Sequence, residues 1–261
     1  IAQTFNKDLA NEYGKICGNY SLWSNLTIFW GCGTNLHRSP YNARNHEYYS
    51  EDAVLTSGQA VAFISGGKEY GVIIAPKHLA FNDTEINRTG VSVFMTEQQA
   101  RENELRGTQA AIEDAGALGV MTAFNRVGIT AANAHTGLLK NILRGEWGFK
   151  GLESQDFIMN PNYAVLKEYA LNGGTMTTFT GENTMAAVSE KFAYWTTENV
   201  GQDTELMSAI KQAMTWQAYA LANSNALDGM ASSTRLVSVR TWYDNLSLIH
   251  ISEPTRLALI S

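Results

Sequence analysis

The sequence is poor in cysteine and proline and has no long apolar run. Its 261 residues include two cysteines and four prolines. The cysteines, Cys17 and Cys32, are too few for a disulfide framework or a four-ligand zinc site. No stretch reaches the roughly 18 consecutive apolar residues that a membrane-spanning helix needs. These scarcities exclude a disulfide-stabilised miniprotein, and they give no indication of a structural metal, a proline-rich linker or a membrane span.

Basic residues are also in the minority. The chain has 19 Lys and Arg against 25 Asp and Glu, a net charge of −6. Nucleic-acid binding depends on cations that neutralise phosphates, so this balance argues against a nucleic-acid partner and favours a neutral or cationic small molecule. With 44% hydrophobic and 17% charged residues, the chain can bury a large core as one large domain or two small ones.

The two ends of the sequence are atypical. The chain begins with Ile1 and shows no signal-peptide pattern, so we expect the natural N-terminus to be missing, and the sequence predicts no localisation. From about Ser247, the residues SLIHISEPTRLALIS resemble a translated sequencing adapter. We therefore predict a folded domain over residues 1–246 and a non-native tail over residues 247–261. A genuine amphipathic C-terminal segment is the alternative.

Short apolar runs alternate with longer segments of helical periodicity. This alternation predicts βα units and parallel strands, as in a (β/α)8 barrel or a doubly wound sheet. A dinucleotide-binding sheet is disfavoured because Gly31-Cys32-Gly33 has no third glycine and does not open a helix. The barrel is therefore preferred. The apolar runs lie at 26–30, 72–75, 119–123 and 175–177.

Three helices are predicted between and after these runs. The first begins with a capping box at Thr96 and runs to about Ala115, where a glycine ends it. The second begins near Thr136. The third runs from Thr204 to about Asn223 and should bury one apolar stripe. That stripe consists of Leu206, Ile210, Ala213, Met214 and Ala218.

Polar residues follow several of the predicted strands. Catalytic groups of a barrel lie at the carboxyl ends of its strands. Lys77 and His78 follow the second run, Asn125 follows the third, and Asp156 follows W-G-F-K-G-L. Taken singly, each could be a surface pair or a helix cap. Together with Arg44, these donors around one carboxylate suit a polyhydroxylated neutral ligand, since an anion stabilises the oxocarbenium-like transition state of sugar chemistry.

Several motifs occur in a fixed order along the chain. They are N-L-H-R-S-P at 35–40, A-R-N-H-E-Y-Y-S-E-D at 43–52, Lys77-His78, V-M-T-A-F-N at 120–125 and E-W-G-F-K-G at 146–151. In this order they resemble the barrel domain of glycoside hydrolase family 3, of the β-glucosidase type, from about residue 1 to about residue 235. The resemblance implies a truncated (β/α)8 TIM-type α/β barrel without its first strand or strands. It also implies a retaining, exo-acting β-glycoside hydrolase that needs no cofactor or metal.

The resemblance also implies roles for individual residues. Asp156 matches the nucleophile, which attacks the anomeric carbon to form a glycosyl-enzyme that water hydrolyses. The run at 82–88 resembles the loop beside the pocket in glucosidase-type members, which favours unmodified hexose or pentose substrates. The substrate-binding candidates are Arg44, Lys77 and His78 for sugar hydroxyls, Met121 as an apolar wall, Phe157 as a stacking ring and Asn125 as a further donor.

Three departures from the family pattern stand out. No strand bearing the family's first-strand aspartate precedes Ile1. The general acid/base usually comes from a separate α/β sandwich domain, which this sequence lacks; Asp83 and Glu85 are the nearest candidates within it. Glu153 stands where an apolar strand residue is expected, so it should find a partner, lie at the solvated start of the strand or be a sequence error.

A β-glucosidase acting on oligosaccharides or aryl β-glycosides is the function that we expect. The isolated chain should be inactive because it lacks the acid/base. A β-xylosidase or arabinosidase is the alternative within the enzyme class, and a non-catalytic sugar-binding barrel is the alternative outside it. A binding barrel has no need of an anion below the anomeric carbon, so Asp156 separates these hypotheses.

Overall fold

A four-stranded parallel sheet forms the centre of the fold. The computed structural model describes residues 1–157, 165–178 and 195–227, and the predicted tail over 247–261 lies outside them. The strand order of the parallel sheet is β1-β2-β4-β7, and a second sheet has the order β3-β5-β6. The strands are β1 (Ile28–Gly33), β2 (Ile73–Leu79), β3 (Ser92–Val93), β4 (Gly119–Thr122), β5 (Arg126–Val127), β6 (Thr130–Ala131) and β7 (Leu152–Gln155).

The predicted parallel strands are confirmed for the first three apolar runs, which contribute to β1, β2 and β4. The run at 175–177 is different, because Met176 forms only an isolated bridge to Ser154 of β7. β7 follows the W-G-F-K-G motif and is wholly buried although it contains Glu153 and Gln155. Polar side chains can occupy this strand because neighbouring hydroxyl and amide groups hydrogen-bond to them.

Helices precede and separate the strands of the parallel sheet. Asn6 begins the first helix by accepting hydrogen bonds from two backbone amides of its first turn. A Cβ atom on Gly14 of this helix would collide with the carbonyl oxygen of Phe63, so glycine permits its close packing on the second helix. The α-helices are α1 (Lys7–Trp23), α2 (Ala53–Lys68), α3 (Glu97–Gln99), α4 (Arg106–Glu113), α5 (Leu166–Leu171), α6 (Thr197–Gln202) and α7 (Thr204–Ala222).

The first two predicted helices form where expected, with a different local geometry. The side-chain oxygen of Thr96 accepts a hydrogen bond from the Gln99 amide at 3.1 Å, as a capping residue does. The helix then passes through a π-helical segment, Ala100–Glu104, into α4, and Gly116 follows with a φ of +62°. The second helix is π-helical over Gly137–Glu146. Hydrophobic periodicity alone does not separate these geometries.

The third predicted helix is confirmed as α7, but part of its predicted stripe is wrong. Met214 is 63% exposed, and Ala218 is exposed as well. Leu206 of the predicted stripe is buried, as is Ala220 outside it, because the helix contacts α5 and β7 along one side. The buried stripe is therefore rotated away from the apolar positions 214 and 218.

The core lies between the parallel sheet and its helices. Ile64 of α2 packs with Ile74 of β2, and Val120 of β4 packs with Leu139 of the π-helix. These packed layers fix the carboxyl ends of β1, β2, β4 and β7 next to one another. In the described part of the chain, none of the helices has the length and apolar character needed to cross a lipid bilayer.

Candidate active site

Asp156 lies directly after β7, at the carboxyl end of the parallel sheet. Its backbone amide donates to the carbonyl oxygen of Thr122 at 3.2 Å, which continues the strand pairing by one residue. The amide of Phe157 donates to Oδ1 of the Asp156 side chain at 2.8 Å. The side chain is only 8% exposed. The backbone hydrogen bond to Thr122 and the side-chain hydrogen bond from the Phe157 amide together hold this carboxylate at the strand end.

Two nitrogen groups approach the other oxygen of this carboxylate. His78 Nε2 lies 3.5 Å from Asp156 Oδ2, and Arg88 Nη1 lies 3.9 Å from it. Burial raises the pKa of Asp156, whereas the Phe157 amide and the positive charge of Arg88 act in the opposite direction. The site therefore combines a desolvated carboxylate with cationic groups that favour its ionised form.

Glu47 contacts both Arg44 and Lys77, the two cations that the sequence predicts to bind sugar hydroxyls. Its carboxylate accepts hydrogen bonds from Arg44 Nε at 2.7 Å and from Lys77 Nζ at 2.7 Å. Arg44 Nη2 also lies 2.5 Å from Glu47 Oε2. Burial alone would raise the pKa of Glu47, but the hydrogen bonds from Lys77 and Arg44 bring it below its usual value. Glu47 thus stays ionised and orients both cations.

Glu85 pairs with two arginines in the loop that follows β2. Its carboxylate lies 3.3 Å from Arg44 Nη1 and 3.1 Å from Arg88 Nη1. It also accepts a hydrogen bond from Asn82 Nδ2 at 2.9 Å. The two guanidinium groups and the Asn82 amide thus contact both oxygens of Glu85. Glu85 therefore orients Arg88 towards Asp156.

His78 is fixed by its backbone as well as by its ring. Asn35, just beyond β1, accepts from the His78 amide at 2.8 Å and donates to the His78 carbonyl at 3.0 Å. The ring is buried, with Nδ1 lying 3.3 Å from the hydroxyl of Tyr48. Burial and the positive charges of Arg44, Lys77 and Arg88 lower the pKa of His78 well below its usual value. The imidazole is therefore neutral at neutral pH.

The other predicted site residues have different surroundings. Met121 is buried and lies between Lys77 and Ser154 in the register of the parallel sheet. Phe157 is 44% exposed at the strand end. Both positions are compatible with the predicted wall and stacking roles, which stay predictions.

Asn125 also contacts the backbone beside the site. Its side-chain nitrogen donates to the carbonyl oxygen of Ala80 at 2.9 Å, and the residue is only 2% exposed. The amide therefore links the segment after β4 to the end of β2, and within the described residues no contact joins it to Asp156. Its role as a ligand donor stays a prediction.

Sequence reasoning missed Arg88. Its guanidinium approaches Asp156, and the carbon Cζ lies 4.4 Å from the ring centroid of Phe124. The sequence did indicate this residue, because Arg88 is the last residue of the run at 82–88 that follows Lys77-His78. Glu47 and Tyr48 were also missed as individual site residues because their contacts depend on how the loop after β1 folds over β2.

Glu153 is the polar strand residue that the sequence left unexplained. It is fully buried, and Thr122 donates a hydrogen bond to its Oε1 at 2.8 Å, so it does find a partner. Among the described residues, its Oε2 has no hydrogen-bond partner. Burial raises the pKa of Glu153 to about 7, against the hydrogen bonds from Tyr169 and Thr122. The protonated form of Glu153 is therefore substantially populated at neutral pH.

The arrangement around Asp156 suits a particular chemistry. A buried carboxylate can attack or stabilise an electron-poor carbon, while the N–H groups of the neighbouring cations bind hydroxyl oxygens. Within residues 1–157, 165–178 and 195–227, no cluster of three or more His, Cys, Asp or Glu side chains is arranged to hold a metal ion. The chemistry described here uses side chains of the chain itself.

Comparison with known proteins supports this interpretation. The profile of the glycosyl hydrolase family 3 N-terminal domain matches residues 1–189. The chain is 35% identical over 157 residues to a probable beta-glucosidase J of Emericella nidulans and 37% identical over 163 residues to a beta-glucosidase of Ruminococcus albus. The alignments cover 60% and 62% of this chain and 18% and 17% of those relatives. The chain therefore spans about a fifth of their length.

Solved structures show the same fold. The structure of beta-glucosidase 3B from Thermotoga neapolitana in complex with alpha-D-glucose has a TM-score of 0.77 and 26% identity, covering 89% of this chain and 32% of that one. A beta-glucosidase from Paenibacillus barengoltzii has a TM-score of 0.78 and 27% identity, covering 87% and 25% of the two chains. These similarities confirm the predicted α/β fold of the TIM-barrel type, in truncated form.

Proposed function

Because this chain belongs to glycosyl hydrolase family 3, we propose that it carries the nucleophile and sugar-binding residues of a retaining, exo-acting β-glucosidase. The family membership confirms the resemblance that the motifs predicted. The proposed substrates are oligosaccharides with a terminal β-linked glucose and aryl β-glucosides. The full-length protein performs the reaction, since the chain spans about a fifth of its curated relatives.

The convergence on Asp156 carries this proposal. His78 and Arg88, from β2 and the loop after it, both lie within 4 Å of one oxygen of the carboxylate that follows β7. A structural ion pair needs only one cation. Asp156 instead faces both a neutral imidazole and a guanidinium, and Arg44 and Lys77 are near enough to affect its pKa. This arrangement suits a ligand that presents several hydroxyls to donors and one carbon to an anion.

In the proposed first step, an oxygen of Asp156 forms a bond to the anomeric carbon while the bond from that carbon to the leaving oxygen breaks. The resulting glycosyl-enzyme ester is then hydrolysed by water, which restores the carboxylate and retains the configuration. Burial makes Asp156 more nucleophilic because it removes water that would otherwise solvate the anion. Arg44 and Lys77 donate to sugar hydroxyls from the orientations that Glu47 sets.

The leaving oxygen also needs a proton, and both local candidates are already paired with arginine side chains. Glu85 lies between two arginines, and Asp83 accepts a hydrogen bond from Arg38 at 2.7 Å. We therefore place the general acid/base in the α/β sandwich domain that the family resemblance implies for the full-length protein. The 261-residue chain alone is expected to hydrolyse ordinary glycosides very slowly.

Azide rescue tests the proposed role of Asp156. Full-length protein with Asp156→Gly should lose hydrolysis of an aryl β-glucoside and recover aglycone release when azide is added. The product should be the α-glucosyl azide, because azide then attacks from the face that Asp156 occupied. A β-azide product would assign Asp156 as the acid/base instead, and failure of azide to restore turnover in a folded variant would contradict the nucleophile role.

A panel of aryl β-glycosides separates the remaining alternatives. Faster turnover of xylosides or arabinosides than of glucosides would favour the pentosidase alternative. Glucose binding without turnover of any glycoside by the full-length protein would favour the non-catalytic sugar-binding barrel.

A further inference from the structure

The hydroxyl of Tyr48 is buried at the back of the site, where it takes no direct part in the proposed reaction. It lies between Asn82 and His78, both of which are also buried. Asn82 Nδ2 is 2.9 Å from the Tyr48 oxygen, and His78 Nδ1 is 3.3 Å from it. The other ring nitrogen of His78 faces Asp156. A continuous row of polar atoms therefore leads from Asn82 to the carboxylate.

Glu85 determines which groups donate and which accept along this row. An ionised carboxylate only accepts hydrogen bonds, so the amide group of Asn82 that faces Glu85 Oε1 at 2.9 Å must be its NH2. That NH2 group has two protons, and the second is directed at the Tyr48 oxygen. Glu85 thus determines which way the Asn82 amide is turned.

The Tyr48 hydroxyl in turn determines whether Nδ1 of the imidazole carries a proton. Because Asn82 uses one of its lone pairs, the hydroxyl keeps its own proton to donate. Among the described residues, His78 Nδ1 is the other recorded partner of this buried oxygen. If Nδ1 carried a proton instead, the hydroxyl proton would be left without an acceptor, at a cost of about 1–3 kcal/mol. Tyr48 therefore favours an unprotonated Nδ1.

The Asp156 end of the row favours the same form of the ring. A bare Nε2 lone pair would face the negatively charged Oδ2 at 3.5 Å and be repelled by it, whereas an Nε2–H group is attracted to it. The doubly protonated imidazolium is disfavoured by burial and by three neighbouring positive charges. The ring therefore exists as a neutral tautomer, and both of its neighbours select the same one.

We propose that Tyr48 is a positioning residue that holds His78 as the Nε2–H tautomer, so that the ring presents a fixed N–H group, 3.5 Å from Asp156 Oδ2, to a sugar hydroxyl beside that carboxylate. Gly33 makes this placement of the tyrosine ring possible, since a Cβ atom there would collide with the ring. The tautomer itself follows from the contacts of this chain. Only its consequence for turnover rests on the proposed function.

Nitrogen NMR of the histidine-labelled 261-residue chain tests the tautomer without any substrate. At neutral pH, the His78 ring should show a protonated, pyrrole-type Nε2 and an unprotonated, pyridine-type Nδ1. The signal is assigned by its loss in His78→Gln. In Tyr48→Phe, which lacks the hydroxyl, the resonances should move towards the values of a mixture of tautomers. Tyr41→Phe is the matched control, because Tyr41 is 83% exposed and its phenol should leave the His78 signal unchanged.

Asn82→Asp provides a second test that does not depend on Tyr48→Phe folding. A carboxylate at this position accepts the Tyr48 proton, so the hydroxyl can then only accept from the imidazole. The tautomer population should shift towards Nδ1–H, against the preference of Asp156 for Nε2–H, and an unchanged population in a folded variant would contradict the proposal. A wild-type ring that carries its proton on Nδ1 or on both nitrogens, or a folded Tyr48→Phe with the wild-type spectrum, would overturn the proposal.

In the full-length protein, Tyr48→Phe should lower kcat/KM by about tenfold, the loss of one well-placed hydrogen bond. The loss should be larger for glucosides than for analogues that lack the hydroxyl contacted by His78. Because the NMR result needs no turnover, an inactive full-length protein would count against the proposed function and leave the tautomer result standing.

Discussion

Two buried carboxylates, Glu153 and Asp156, lie three residues apart at the end of β7 and have opposite surroundings. Glu153 is fully buried, and Thr122 donates a hydrogen bond to one of its oxygens, while the other has no hydrogen-bond partner by distance and angle among the described residues. Asp156 has an amide donor, an imidazole and a guanidinium near it. Their surroundings differ because Glu153 lies within β7, whereas Asp156 lies beyond its last residue. Side chains beyond the end of a strand contact the loops of neighbouring strands. Burial raises the pKa of both carboxyls, but at the strand edge the Phe157 amide and the positive charge of Arg88 oppose that rise.

Replacing each carboxylate by its amide in the full-length protein gives the largest expected contrast. Asp156→Asn should lower kcat for an aryl β-glucoside by at least about a thousandfold, because it removes the nucleophile. Glu153→Gln should keep kcat within about tenfold of the wild type, since an amide resembles the neutral carboxyl in shape and can accept from Thr122. Comparable losses in both variants, measured as initial rates on folded protein, would remove the distinction between the two residues.

The pH dependence of stability should reveal Glu153 in the 261-residue chain. Its pKa of about 7 in the folded state lies above its ordinary value of 4.5. Below about pH 4.5, both the folded and the unfolded chain are protonated at this residue. As the pH rises from there through 7, the unfolded chain loses its proton first, so the free energy of unfolding falls by up to about 3 kcal/mol.

Urea unfolding at a series of pH values checks this expectation. Glu104, buried beside Asp83 and Arg38, also has its pKa raised by burial to about 7 and should contribute with the same sign. The variants Glu153→Gln and Glu104→Gln should each flatten the profile between pH 4.5 and 7. An unchanged slope in both variants would show that these carboxyls are ionised in the folded chain.

Glu47→Gln should have a smaller effect, on ligand affinity. The variant keeps a hydrogen-bond acceptor but loses the negative charge that orients Arg44 and Lys77. Glucose binding by the full-length protein should weaken by about tenfold, as measured by calorimetry. Glu51→Gln is the matched control, since Glu51 belongs to the same segment and is exposed. Equal affinities for Glu47→Gln and the wild type would show that the two cations need no such anchor.

The parallel strands and the position of Asp156 could be predicted from the sequence because both depend on local patterns. Apolar runs mark β1, β2 and β4, and Lys77, His78 and Asp156 follow from the rule that polar residues gather at strand ends. The family motifs added the proposed roles of these residues. Sequence periodicity and motif spacing were therefore sufficient for the fold class and for the place of Asp156 at the end of β7.

The network around that centre could not be predicted in the same way. Arg88 reaches Asp156 across 68 positions of the sequence, and Tyr48 meets His78 across 30. Such contacts depend on how loops fold over neighbouring strands, and local patterns do not encode that. The contact of the Asn125 amide with the backbone at Ala80 could not be predicted either, and the role of Asn125 as a ligand donor stays a prediction.

Trapping of the glycosyl-enzyme tests the nucleophile most directly. A dinitrophenyl 2-deoxy-2-fluoro-β-glucoside has a leaving group that departs without a proton donor and forms a slowly hydrolysed ester with the nucleophile. After digestion of the full-length protein treated with this reagent, mass spectrometry should find the fluoroglucosyl group on Asp156. A label on Asp83, Glu85 or any other residue would contradict the convergence of donors on a reactive Asp156.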